Sequence, residues 1–205
     1  MMKKNGFTLA EVLITLAIIG VVATMTLPAL MTNTAEQQAK TGIKKGINTL
    51  TEAAQMNNAI AGFDYATIKE ASDTTNTDEQ HQSLYALLAN RTAMDTSLTQ
   101  DNGTNFTVFF RDGASLEFPA AAATDEQNEL QTDGLPYGIA AVYDTNGTKA
   151  PNVLSNCAAN LNATDDKATG CTNKTSRLIR DKFGVRLRGN IAVPNGEAAR
   201  WAYGS

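Results

Sequence analysis

The sequence predicts an α+β chain in which a long amino-terminal helix, half of membrane type and half packed, lies against a small antiparallel sheet. Three observations carry that prediction. Residues 7–31 form an almost uninterrupted apolar run. Further on, Ile43, Ile47, Leu50 and Ala54 recur at spacings of four, three and four, the period of one helix face. From Asn105, the residues Phe106, Val108 and Phe110 alternate with Thr107 and Phe109. Asp112-Gly113 then marks a turn, and Leu116 and Phe118 follow on the return, the pattern of a hairpin.

Composition narrows the function classes. The 205 residues suffice for one ordinary domain and an appendage, at about 100 to 200 residues per domain. A net charge of −4 with 19% charged residues argues against a surface built throughout to neutralise nucleic-acid phosphates. The single histidine, His81, and two cysteines, Cys157 and Cys171, exclude a multi-Cys or multi-His zinc site. No nucleophile–base pair, phosphate-binding glycine loop or acid pair stands out, so the expectation is a protein that is not an enzyme.

The first element is the apolar run FTLAEVLITLAIIGVVATMTLPALM, in which Glu11 is the sole ionisable side chain. At about 1.5 Å per residue it crosses a hydrocarbon core of about 30 Å with some tilt. Lys3 and Lys4 precede it and no basic residue follows before Lys40, so the positive-inside tendency places the amino end in the cytoplasm and the polar body outside. A cleaved secretory signal needs a shorter apolar stretch. A plain single-pass anchor leaves Glu11 unexplained, since an acid at the bilayer centre costs about 2.5–3.5 kcal/mol. A buried core helix rarely carries β-branched residues all round.

Lys3-Lys4-Asn5-Gly6-Phe7-Thr8-Leu9-Ala10-Glu11, running directly into that stretch, resembles the leader and start of type IV prepilins and type II secretion pseudopilins. The resemblance implies a pilin-like fold with residues 1–6 as leader, 7–31 as transmembrane and assembly helix, 32–61 as its packed continuation and 62–205 as a polar globular α+β domain. It implies cleavage by prepilin peptidase between Gly6 and Phe7, N-methylation of Phe7, and polymerisation into a filament through the apolar helix. Glu11 would then pair with the terminal amine of a neighbouring subunit; pairing with its own Phe7 amine, four positions away on the same helix face, is the alternative. Gly20 and Pro28 match positions where that family has helix breakers, which suggests a kink or melted stretch in the fibre; the alternative is that glycine and proline are simply commoner in membrane helices than in soluble ones. The partners implied are identical or related pilin subunits, the peptidase, an inner-membrane assembly platform and membrane lipid. Nucleic acid enters only for a competence-type filament. The expected location is the inner membrane, followed by a periplasmic or extracellular filament.

The helix is expected to continue to about Ala61, with Gly42 and Gly46 read as weak points costing about 1 kcal/mol each against alanine rather than as sites of close approach. Residues 62–82 read as a loop with a short helix around residues 65–71, and His81 as a solvated surface histidine. Residues 83–94 read as a second amphipathic helix through Leu84, Leu87 and Leu88. Residues 138–143 and 183–187 supply further strands, for three or four in all, and Trp201 and Tyr203 are expected to pack on the sheet.

Residues 143–152, with Asp144, Asn146, Gly147, Pro151 and Asn152, are similar to a DxNGxxxPN turn of pseudopilin-like proteins, which inclines the reading towards a type II secretion pseudopilin. A type IV pilin for adhesion, motility or DNA uptake, and an uncleaved membrane-anchored binding module, stand as alternatives. Asp144 and Asn146, with Asp181 adding a carboxylate, offer oxygens of the kind that ligate calcium. A plain structural turn is the favoured reading, and no other cofactor is implied. Cys157 and Cys171 enclose a stretch with almost nothing to bury; on the exported side of a membrane they are expected to be oxidised, closing a loop worth about 3 kcal/mol. A redox pair and free cytoplasmic thiols are the alternatives. Arg177, Arg180, Lys182, Arg186 and Arg188 gather positive charge near the end, read as a face for an acidic part of the next subunit.

Overall fold

The computed structural model describes residues 8–69, 76–120, 138–157, 171 and 177–204, the side chains of 28–33 excepted. The chain divides into two compact units, residues 1–38 and 39–205. Helix α1, Leu9–Ala61, belongs to both.

In the first unit α1 is uninterrupted, and its Leu9–Leu27 stretch is long and apolar enough to cross a membrane, with none of it buried within the subunit. Leu13, Ile14, Leu16, Ile18 and Ile19 are all exposed. An apolar surface of that extent on a chain otherwise polar is a surface made for lipid or for other helices.

The second unit is an α+β body. Along α1 the stripe Ile43, Ile47, Leu50 and Ala54 is buried, as the spacing predicts. Helix α2 spans Leu84–Arg91, with Ser83 as N-cap accepting from the Ala86 N–H. Strands β1 Met94–Asp101, β2 Asn105–Phe110, β3 Ser115–Pro119, β4 Ile139–Asp144, β5 Lys182–Arg188 and β6 Ile191–Pro194 form one antiparallel sheet in sequence order, and helix α3, Glu197–Gly204, closes the chain. One sheet face supplies the core through Phe106, Val108, Leu116, Phe118, Tyr143, Phe183, Val185 and Leu187. Tyr65 lies wholly buried with its hydroxyl donating to the Leu50 carbonyl at 2.7 Å; burial pushes that hydroxyl's pKa far up. The edge strand β6 is tied to α1 where the Ala192 N–H donates to Thr51 Oγ1.

Several expectations need correction. Among the described residues the sheet has six strands rather than three or four. Residues 92–94 leave the second helix, because Thr92 turns extended as its C-cap and Met94 starts β1. Residues 65–69 are turn and bend rather than helix, with Asp64 as an Asx cap accepting from the Ala66 N–H, while 70 and 71 lie outside the described residues. His81 is half-buried rather than solvated. Gly42 and Gly46 are close-approach positions: a Cβ on Gly42 would stand 2.6 Å from Thr145 Cβ, and one on Gly46 would overlap the Tyr143 ring. The two glycines recess the helix so that β4 and the turn after it can lie against it.

Candidate functional site

Two features carry chemistry that the fold alone does not require. The first is the start of α1. The Thr8 N–H donates to Glu11 Oε2 at 2.9 Å, and the Glu11 N–H donates to Thr8 Oγ1 at 3.3 Å. This reciprocal capping box satisfies two of the orphan donors at the head of the apolar helix. Glu11 therefore has a partner within its own chain, and its carboxylate enters the apolar stretch hydrogen-bonded. The sequence signal of this box is a Thr-x-x-Glu ahead of an apolar run, Thr8 and Glu11. Gly6 and Phe7 lie outside the described residues. Gly20 has nothing within 4 Å of where a Cβ would stand, and α1 runs through Gly20 and Pro28 without a break in the single subunit.

The second feature is the turn of residues 144–152, which the structure explains residue by residue. Asp144 Oδ1 accepts from the Asn146 N–H at 3.0 Å, an Asx turn. Gly147 has φ 69° and lies so close to the Gly113 carbonyl that a Cβ would overlap it, so glycine is needed twice over. Ala150-Pro151 is cis, and Asn152 takes the left-handed region at φ 52°, which asparagine tolerates. The Asn152 N–H then donates to Asp181 Oδ2 at 2.7 Å and the Val153 N–H to Asp181 Oδ1 at 2.9 Å. Thr145 completes the stitch, its N–H and Oγ1–H both donating to the Asp181 carbonyl. Asp181 thus clamps the far end of the turn to the start of β5.

As a calcium centre this donor set is short. Two buried oxygens, Asp144 Oδ2 and Asn146 Oδ1, have no hydrogen bond, but both Asp181 oxygens are taken by backbone amides and the Lys182 ammonium stands 3.9 Å from Asp144 Oδ2. Calcium takes about six to eight oxygens. Among the described residues no group of three or more His, Cys, Asp or Glu side chains could hold a metal. Burial pushes the Asp144 carboxyl above the usual aspartate range, and the nearby Asp181 charge adds to this against the opposing amides and Lys182.

Cys157 and Cys171 are both buried and joined as a disulfide with Cα atoms 4.8 Å apart. Three of the five basic residues near the end have local partners. Arg177 lies over one aromatic ring, Trp201, with its Cζ 4.2 Å from the centroid, and Lys40 Nζ stands 3.8 Å from the same centroid. Arg180 donates to the Ile179 carbonyl, and Lys182 faces Asp144. Arg186 and Arg188 lie on the side of β5 opposite its buried Phe183, Val185 and Leu187. Trp201 packs at the core edge from α3, while Tyr203 is exposed.

The architecture is thus that of a membrane-type helix leading into a helix-and-meander body. Residues 1–27 match the prokaryotic N-terminal methylation motif, the prepilin-type leader of type IV pilins and pseudopilins. No curated protein and no solved structure matches the chain. The matched motif is that of a structural subunit and not of an enzyme family.

Proposed function

We propose that the chain is a subunit of a type IV pilus-like filament, of the type II secretion pseudopilin kind. It is held in the inner membrane with its amino end cytoplasmic, cut between Gly6 and Phe7 by prepilin peptidase, methylated on Phe7, and assembled through the apolar half of α1. The observation that carries this reading is the leader match over residues 1–27 on a helix whose apolar surface has no cover within its own subunit. Copies of the same helix provide that cover in a fibre. The resemblance of the 143–152 turn to that of pseudopilin-like proteins supports secretion over adhesion, motility or DNA uptake. In this reading the mature chain is not a catalyst.

Glu11 acts at assembly. Its bond to the Thr8 N–H satisfies the acid during insertion, and the Phe7 amine of a neighbouring subunit, a charged donor, replaces that neutral one when the filament grows. The Thr8 bond already has an ionised acceptor, and the ammonium adds a second, opposite charge, so the exchange makes an ion pair in a low dielectric and favours assembly. Mass spectrometry of the mature amino terminus tests the processing step: methylated Phe7 supports it, and a retained Met1 or Met2 replaces it with an uncleaved anchor. Glu11→Ala is expected to insert normally and to lose filaments, and filaments at the wild-type level would remove the pairing.

A further inference from the structure

The body is acidic as a whole and basic at one end. In residues 1–38 Lys3 and Lys4 offset Glu11 and Glu36, so the entire net charge of −4 falls on residues 39–205. Cations nonetheless gather where α1 enters the body at Ala39. Lys40 and Arg177 both stack on Trp201, at 3.8 Å and 4.2 Å from the ring centroid. Arg200 precedes that tryptophan on α3, and Lys44 follows Lys40 one turn along α1. Arg180 is brought to the same end by Asp181, whose carbonyl accepts from the Thr145 that lies against Gly42.

Three carboxylates stand among these five cations: Glu36 one turn before Lys40, Glu197 one turn before Trp201, and Asp181, whose two oxygens are bound to amides. Lys45 and Lys182 are balanced by Asp112 and Asp144. Among the described residues this end is therefore net positive on a body that is net negative. Tyr203, 38% exposed, shares a face of α3 with the exposed Arg200.

Position gives the patch its partner. The stretch able to cross a membrane ends at Leu27 and the body begins at Ala39, so residues 28–38 tether the body within about 40 Å of the bilayer even at full extension. A short tether holds the headgroups at high effective concentration for a weak site on the body. We infer that the end of the body where α1 enters docks on the headgroups of anionic phospholipid. Each Lys or Arg close to such a surface favours docking about fivefold, and the same surface repels the acidic remainder, so the charge asymmetry turns this end towards the lipid. Tyr and Trp rings settle at headgroup level, and here both stand among the cations. A second copy offers acids too, but the bilayer is the partner to which the single subunit is already tethered.

This inference rests on the membrane-held part of the reading above and adds a contact of the body itself. Trp201 is the sole tryptophan of the chain, so its fluorescence reports this end directly. The full chain is placed in vesicles of phosphatidylcholine, or of equal parts phosphatidylcholine and phosphatidylglycerol, each with a nitroxide on a small share of the headgroups. Quenching of Trp201 is expected in the anionic vesicles and not in the neutral ones, and is expected to fade as salt shortens the Debye length from about 8 Å to about 3 Å at 1 M. The double variant Arg180→Gln, Arg200→Gln, at two exposed positions, is expected to lower the docked-to-free ratio about fivefold for each cation removed; quenching equal to wild type in that variant overturns the inference. Chains that insert but show no quenching in anionic vesicles overturn it and leave the anchor standing. Equal quenching in the two compositions overturns it as well, and if that quenching climbs with the number of chains per vesicle the face belongs to a second copy. Chains that do not insert overturn the membrane reading and this inference with it.

Discussion

Asp181 shows how much one side chain organises. Its two carboxylate oxygens each accept a backbone N–H from the end of the 144–152 turn, while its carbonyl accepts from Thr145. Asp181→Asn keeps one acceptor and sets an amide against the other N–H, so a loss of about 1–3 kcal/mol is expected, read by urea denaturation and equal with calcium or chelator present. Asp144 runs the other way. Its folded-state pKa is raised, chiefly by burial, so its ionised form costs stability above its folded-state pKa, and that cost vanishes as pH falls below its unfolded value. Asp144→Asn, which keeps the acceptor for the Asn146 N–H, is therefore expected to be more stable than wild type at neutral pH and to lose that advantage in acid, as measured by thermal unfolding across pH. Gly46 provides the third residue-scale test. Alanine gains about 1 kcal/mol in helix propensity but drives a methyl into the Tyr143 ring. Overpacking costs about 1–3 kcal/mol, so Gly46→Ala is expected to be net destabilising by denaturant midpoint, whereas Gly20→Ala meets no neighbour and carries no such cost.

At the scale of elements, what could be read from the sequence followed the strength of the pattern. α1, the β2–β3 hairpin, β4 and β5 announced themselves because each buries residues at a regular period. β1 did not, since only Met94 of its eight residues is buried and the remainder, polar but for an exposed Leu98, shows no buried period. β6 has four residues and little alternation, although Gly189-Asn190 between Arg188 and its partner Ile191 is a two-residue hairpin connection that marks it. The alanine-rich α3 is a helix former by propensity alone. The close approach at Gly42 and Gly46 was not legible, because a glycine in a helix reads the same whether or not another element lies over it. The Cys157–Cys171 bridge was legible from the count of cysteines and their surroundings. Its removal by paired serine substitution is expected to cost about 3 kcal/mol, and hydrogen exchange at Ser155 and Asn156, whose amides bond across to Lys182 and Leu178, should rise with it.

At the scale of the whole molecule, the division at residue 38 separates a part made for the company of other helices from a part with its own core. A chain of residues 39–205 is expected to fold as a monomer in water, with the cooperative unfolding of a single domain, as read by gel filtration and circular dichroism. Aggregation of that fragment, or a broad transition, would show that the membrane half is needed to complete the body. The sheet bears on the same experiment. It is an open meander, so two strands lie at its margins, and β6 is stoppered by the Thr51 hydroxyl on the Ala192 amide. Runaway strand-to-strand growth between bodies would therefore have to start from β1, where Asp95 and Asp101 place like charges on any second copy that tried to zip alongside. A polymer of this protein is thereby steered to grow through its greasy stems, with amyloid-style stacking of the heads discouraged at the one margin where it could begin.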